Sequence, residues 1–275
     1  MLDRTRAYGL DFLFPEGDSA IGESLALYGE FAAVISDFLI EHATAETGTL
    51  IDAGANIGSV SLPFAAARPN WRVLGVEAHR GIAAIYGANA MNNRLTNVEV
   101  IQAAIAAERG LVRFPNPPLG LKRNFGTLSL NTTDYETAPI LRMTLDDIAP
   151  ADTRLIKIDI EGYDAEALKG APRLMQETRP IWLVEAAVNH PETAREVVRL
   201  LLEADYRVHW FFAPFATSRA LKGRKTPTLG KGDANVVALP AGVENSWNLP
   251  EITSPDTPRP GAASDYPYLA RYGMS

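Results

Sequence analysis

Four short apolar runs in this chain each stop at a carboxylate: TLIDA at Asp52, WRVLGVE at Glu77, RLIKIDIE at Asp159 and Glu161, and IWLVE at Glu185. Short runs without polar alternation are buried on both faces, as in a parallel sheet covered by helices on each side. Helical patterns separate them, over residues 59–68, 82–91 and 192–203, with a helical turn or two at 164–170. Residues 98–103 supply a third strand; ADYRVHWFF and ANVVALP supply the last two. The expectation is an α/β chain built on a mostly parallel sheet. Ligands of such sheets bind beyond the carboxyl ends of the strands, so the strand-end acids are the residues to read for chemistry.

Flanking segments complete the organisation. Residues 19–42 carry apolar positions at helical spacing, which predicts one or two amphipathic helices. The chain is therefore divided into an N-terminal helical extension over 1–47, a main domain over 48–240 and a Pro-rich tail over 241–275. The extension is open to two readings, a lid or the surface of a homodimer. Residues 111–114 and 127–130 read as short strands around a Pro/Gly-rich loop, PNPPLGLKRNFG. The tail, with Pro250, Pro255, Pro258, Pro260 and Pro267, is assigned no structure.

Composition excludes several classes. A net charge of -7 argues against a protein that grips nucleic acid through its phosphates. The absence of cysteine removes disulfides, thiolate metal sites and cysteine nucleophiles. No apolar stretch has the length of a signal-peptide core or a membrane span, so a soluble cytoplasmic protein is expected, with neither nucleic acid nor membrane as partner.

In LIDAGANIGSVS, the acid Asp52 is followed by Gly54, Asn56 and Gly58. Glycines let the backbone turn sharply and let a ligand approach it, and the helix that follows offers free N–H groups. The G-x-x-x-G spacing departs from the G-x-G-x-x-G of dinucleotide sites, and an acid at the turn would repel a pyrophosphate. Asp52 suits a ligand that carries positive charge and hydroxyls; the plainer alternative is a tight turn with Asp52 as a cap. Glu77, one βα unit later, is placed to accept hydrogen bonds from ribose hydroxyls, or is simply solvated. Asp159 and Glu161 are two apart at a strand end, so both can face one cleft, where two acids resist joint ionisation. Alternatively one caps the helix from Asp164 and the other faces water. His190 is unassigned, and His79 lies beside the presumed ribose site.

Together these segments resemble the FkbM family of S-adenosylmethionine-dependent methyltransferases. IDAGANIG, VLGVEAHR, NRLTNVEVIQAAIAAERG and MTLDDIA followed by LIKIDIEGYDAEALKGA match its motifs in order, and RPIWLVEA, EADYRVHWF and NVVALP follow, over about residues 28–240. The family's second strand usually ends in Glu-Pro, whereas here Glu77 precedes Ala78 and His79. The resemblance implies a class I, Rossmann-like methyltransferase fold with a seven-stranded sheet. It implies S-adenosylmethionine as cofactor, with S-adenosylhomocysteine as product. Asp52, Gly54, Asn56, Gly58 and Asp159 would lie at the cationic amino-acid end, Glu77 and Ala78 at the ribose, and Gln102, Ala103 and Ala104 at the adenine.

The same resemblance implies O-methylation of a small hydroxylated molecule, a sugar or natural-product intermediate. Asp159 or Glu161 is the candidate base. A second version places a divalent cation among Asp159, Glu161 and Glu185; the metal-free version is preferred because Glu185 would serve equally as a structural strand-end acid. The loop TSRALKGRKTPTLGKG is basic, with Lys222, Arg224 and Lys225 at its centre and Lys122 and Arg123 in the other long loop. It suggests an acidic or phosphorylated acceptor, or else a solvated loop. Two rival functions stand beside this one: a nicotinamide-dependent oxidoreductase and a non-catalytic cofactor-binding scaffold.

Overall fold

The computed structural model describes residues 2–187, 189–218 and 231–274. The basic-loop residues Arg219, Lys222, Arg224 and Lys225 lie outside them. In chain order the elements are β1 (Leu2–Ala7), β2 (Leu10–Pro15), α1 (Ile21–Tyr28), α2 (Ala33–His42), β3 (Gly48–Ala53), α3 (Ser61–Ala67), β4 (Trp71–Glu77), α4 (Arg80–Asn92) and β5 (Val98–Gln102). Then come β6 (Ala104–Ile105), β7 (Gly110–Pro115), β8 (Thr137–Met143), α5 (Leu145–Ile148), β9 (Thr153–Ile158), α6 (Asp164–Lys169), β10 (Ile181–Glu185), α7 (Pro191–Glu203), β11 (Arg207–Pro214), β12 (Gly232–Leu239) and β13 (Glu251–Ile252).

The central sheet runs β13-β11-β12-β10-β9-β3-β4-β5. Strands β10, β9, β3, β4 and β5 are mutually parallel, and β12 is antiparallel to both of its neighbours. The order reverses between β3 and β9, which opens a crevice at their carboxyl ends. Every residue of β3 and of β10 is buried, which is why those stretches carry no polar alternation. Helix α7 instead turns Val197, Val198 and Leu201 inward and sends its charges to water. This is the class I Rossmann-like arrangement, with β13 added to the seven expected strands. Among the described residues no helix is long and apolar enough to cross a membrane.

Three expectations need correction. The extension over 1–47 is not wholly helical: β1 and β2 form an antiparallel hairpin ahead of α1 and α2. Its two-residue turn, Tyr8-Gly9, has φ 53° and 77°, the positive values that match the twist of a tight hairpin. Phe12 and Phe14 alternate into the core. The outer edge of β2 pairs with side chains of α4. Asn89 Oδ1 accepts from Leu13 N (2.7 Å) and its Nδ2 donates to Leu13 O (3.0 Å). Asn93 does the same for Asp11, at 2.8 and 2.7 Å.

Residues 127–130 are not a strand. Asn124 Oδ1 accepts from Gly126 N (2.8 Å) and closes a turn there, while β7 pairs with β8 further on. Pro139 fits inside β8 because β6 pairs only with Arg142 and Met143, leaving the edge beside Pro139 open.

The tail, finally, is packed rather than formless. Trp247, Tyr268 and Tyr272 are buried, and Trp247 meets Phe38 edge-on at 5.2 Å. Tyr268 stacks on Phe211 at 5.2 Å, and its hydroxyl bridges the amide and carbonyl of Phe212 at 2.7 and 2.8 Å.

Candidate active site

A cavity of about 720 Å³ lies over the carboxyl ends of β3, β4, β9 and β10. Gly54, Asn56, Glu77, Ala78, Ala103, Ala104, Asp159, Glu161 and Glu185 all line it. Three expected contacts do not. Gln102 is exposed on the far side of its strand, because side chains alternate across the sheet and Ala103 takes the inward position. Gly58, at φ 87°, is a packing glycine: a Cβ there would run into the ring of Tyr86. Asp52 sits under the floor of the cavity, 1% exposed.

The partner that makes the burial of Asp52 tolerable is Lys157, next to the last residue of β9 and itself 3% exposed. Its Nζ lies 3.2 Å from Asp52 Oδ1 and 3.4 Å from Asp159 Oδ2. Burial works against the ammonium, but the two carboxylates outweigh it and hold the group charged. Asp52 thus has its cation built in. Gly54 closes the same corner: at φ 79° it passes so near β9 that a Cβ would collide with the Asp159 carbonyl oxygen.

Glu77 is fixed from two loops. Its Oε2 accepts from Asn56 N (3.0 Å) and its Oε1 from His79 N (2.7 Å). Each oxygen keeps a lone pair, so the carboxylate can still receive a ligand's hydroxyls. Burial, opposed by those two N–H donors, pushes its pKa up to about 7. His79 has no free nitrogen for a ligand. Its Nδ1 accepts from Ile82 N (3.3 Å) as the cap of α4, and its Nε2 bonds Pro117 O (3.1 Å).

At the other end the carboxylates converge. One oxygen each of Asp159, Glu161 and Glu185 lie within 4.8 Å of one another. The segment that carries the first two is shaped by Asp164, whose buried carboxylate accepts from Ile160 N and Gly162 N, both at 3.1 Å. Those bonds hold Glu161 at φ 53°, a costly conformation for a non-glycine residue, followed by Gly162 at φ 85°. Burial, then the charges of Asp159, Asp233 and Asp164, push Glu161 up to about 8. Burial and the same group of acids drive Glu185 well above the ordinary carboxylate range.

Sequence reasoning missed Asp233, which lines the cavity and is pushed up to about 7 by burial and by Asp159. Strand β12 runs antiparallel to β10, so its first residues reach this edge, and no local pattern announces that. Lys157 was missable for a different reason: its charge is silent in an apolar run, though its spacing of two from Asp159 puts both on one side of β9. Tyr28, Phe31, Phe125 and Phe215 give the mouth apolar walls, with Phe31 stacked on Phe215 at 5.4 Å. Helix α1 brings Tyr28, the connection from α1 to α2 brings Phe31 and the loop after β7 brings Phe125, so these segments frame the site. Among the described residues the lining carries Glu23, Glu77, Asp159, Glu161, Glu185 and Asp233 against one arginine, Arg259. Arg123 is engaged elsewhere, over the ring of Tyr135 at 4.7 Å.

Comparison with known proteins fits this frame. The methyltransferase FkbM domain profile matches residues 52–208. Among solved structures, the methyltransferase FkbM of Methylobacillus flagellatus KT is similar at 20% identity and a TM-score of 0.47, over 70% of this chain. The chain spans only 44% of the length of that protein. Precorrin-6y C5,15-methyltransferase of Geobacter metallireducens GS-15 is similar at 16% identity and a TM-score of 0.49, over 76% of this chain and 87% of that one. The TYW2 protein of M. jannaschii, solved in complex with AdoMet, shares 12% identity at a TM-score of 0.44, over 86% and 84% of the two chains. No curated protein matches the chain. With the profile covering more than half of its residues, the chain belongs to the FkbM methyltransferase family.

Proposed function

We propose that this protein is an S-adenosylmethionine-dependent methyltransferase that methylates a hydroxyl oxygen of a small neutral acceptor, a sugar or natural-product intermediate. One observation carries the reading: a strand-end cavity with a buried carboxylate that keeps open lone pairs, Glu77, at one end and converging acids at the other. A pyrophosphate-bearing cofactor would meet repulsion there, whereas a cationic one is favoured. The described lining likewise suits a neutral acceptor better than the acidic one suggested by the basic loop.

When bound, S-adenosylmethionine supplies a methyl group already activated on a cationic sulfonium. Glu77 would accept the ribose hydroxyls, and Ala103 and Ala104 would wall the adenine. The main chain at Gly54 and Asn56 would receive the amino-acid end. Asp52 acts through Lys157, which fixes the Asp159 carboxylate in place. The carboxylates of Asp159 and Glu161 orient the acceptor hydroxyl, whose proton leaves to the surrounding acidic cluster. Tyr28, Phe31 and Phe215 exclude water from the acceptor. Most of the catalytic advantage is positioning.

Two measurements test this. Calorimetry should show one equivalent of S-adenosylhomocysteine bound. Label from methyl-labelled S-adenosylmethionine should pass to a hydroxylated small molecule in a cell extract. Asp159→Asn should lower that turnover at least tenfold and leave S-adenosylhomocysteine bound. Absence of cofactor binding, or protection against thermal unfolding by a nicotinamide dinucleotide instead, overturns the proposal. Binding without any transfer points to the scaffold reading.

A further inference from the structure

Among the described residues the acidic end of the cavity is short of positive charge. Lys157 is the buried cation found there, and it is already shared between Asp52 and Asp159, at 3.2 and 3.4 Å. That leaves Glu161, Glu185 and Asp233 facing the same space. Glu185 is the telling member. It is 6% exposed, it lines the cavity, and its Oε2 is buried with no hydrogen-bond partner among the described residues. A buried carboxylate oxygen left unpaired is costly, and structures retain one where a ligand satisfies it.

The oxygen donors already stand close to a coordination shell. Oxygens bound to a magnesium-sized ion at about 2.1 Å sit about 3.0 Å apart when adjacent and about 4.2 Å apart when opposite. Here one oxygen from each of Asp159, Glu161 and Glu185 falls within 4.8 Å of the other two. The three come from two neighbouring parallel strands, and Asp164 and Lys157 fix the backbone and one carboxylate from behind. All three donors are hard oxygens, with no histidine or cysteine among them, which selects magnesium or manganese over zinc.

We propose that Asp159, Glu161 and Glu185 bind one hard divalent cation of magnesium size, whose remaining coordination positions face the cavity and receive the acceptor's hydroxyl oxygen. This proposal departs from the metal-free preference drawn from the sequence, because among the described residues no structural hydrogen bond engages Glu185 Oε2. The use made of the cation rests on the methyl-transfer reading; its binding does not. The cation favours acceptors with two neighbouring oxygens, since both can occupy adjacent positions on it.

The test uses full-length protein stripped with EDTA, dialysed, and titrated with manganese(II), free ion being followed by its electron paramagnetic resonance signal. The titration is run with and without S-adenosylhomocysteine. One equivalent should bind, magnesium should displace it, and Glu185→Gln and Asp159→Asn should each weaken binding at least tenfold. Magnesium should also raise the melting temperature of the parent protein and not that of Glu185→Gln, which confirms that the variant is folded while reading the site. An undiminished free-manganese signal at millimolar concentration overturns the inference, as does equal binding by the parent and both variants. Manganese binding without S-adenosylhomocysteine binding would sustain this site and sink the methyl-transfer reading; the reverse result would sink only the cation.

Discussion

Glu77 shows how one residue's surroundings set a working range. Burial raises it to about 7, although two backbone N–H groups already favour its charged form. A carboxylate raised in the folded protein keeps its proton there above the pH at which the unfolded chain releases it. In the ligand-free protein its contribution to stability is therefore full below the ordinary carboxylate value and is lost as pH rises through about 7. Cofactor binding has the opposite sign, because ribose hydroxyls donate to the ionised form. Affinity for S-adenosylhomocysteine should be flat above pH 8 and fall by up to about tenfold by pH 6. Glu77→Gln should weaken binding at pH 8 by more than about tenfold, about 1.4 kcal/mol, and flatten the dependence. Calorimetry at a series of pH values checks both, and an unchanged pH profile in the variant would remove Glu77 from the ribose.

Among the elements, the N-terminal hairpin is held by an unusual device. Two asparagines four residues apart, Asn89 on α4 and Asn93 at its C-cap, present amide groups to the edge of β2 and satisfy it as a neighbouring strand would. Asn89 is fully buried, and its Nδ2 also reaches Ile57 O at 3.0 Å. Replacing both with alanine should free the hairpin edge at about 1 kcal/mol or more per lost side-chain pairing. Hydrogen exchange at Asp11 and Leu13 should accelerate, while β3 and β9 keep their protection. Slow exchange at Asp11 and Leu13 in the double variant would mean that Phe12 and Phe14 alone seat the hairpin.

This element also marks the limit of what could be read beforehand. Strands β3, β4, β9 and β10 were legible because burial on both faces leaves a run of apolar residues ending in an acid. The hairpin's signals were present as well, in Tyr8-Gly9 and the alternation of Phe12 and Phe14, but the helical spacing after residue 19 overshadowed them. Asp233 was not legible, since only the antiparallel pairing of β12 with β10 brings it to the site. Nor was the pairing of Lys157 with Asp52, which belong to strands joined across the point of reversal and separated by about half the domain.

For the molecule as a whole, the tail after residue 240 adds most to what the sequence suggested, and the reason lies in how the core is built. Prolines discourage regular elements, yet they do not prevent irregular chain from burying aromatic rings. Here the tail lays Trp247, Tyr266, Tyr268 and Tyr272 over α2 and β11, and β13 pairs with Val208 and His209. Polar bonds pin it at both ends: Trp247 Nε1 donates to Glu41 Oε2 at 2.7 Å, and the Tyr272 hydroxyl to Asp37 Oδ2 at 2.8 Å. Phe38 and Phe211, both essentially inaccessible, would be uncovered without it. Removing one such ring costs about 3–5 kcal/mol, comparable to a large share of a domain's net stability of about 5–15 kcal/mol. Trp247→Ala should therefore lower the urea midpoint markedly, and a chain ended at Pro240 should lose cooperative unfolding altogether. Arg259 lines the cavity from the same tail, so cofactor binding should fail with it. If the shortened chain unfolds cooperatively within a few degrees of the full one and still binds S-adenosylhomocysteine, the tail is an appendage after all.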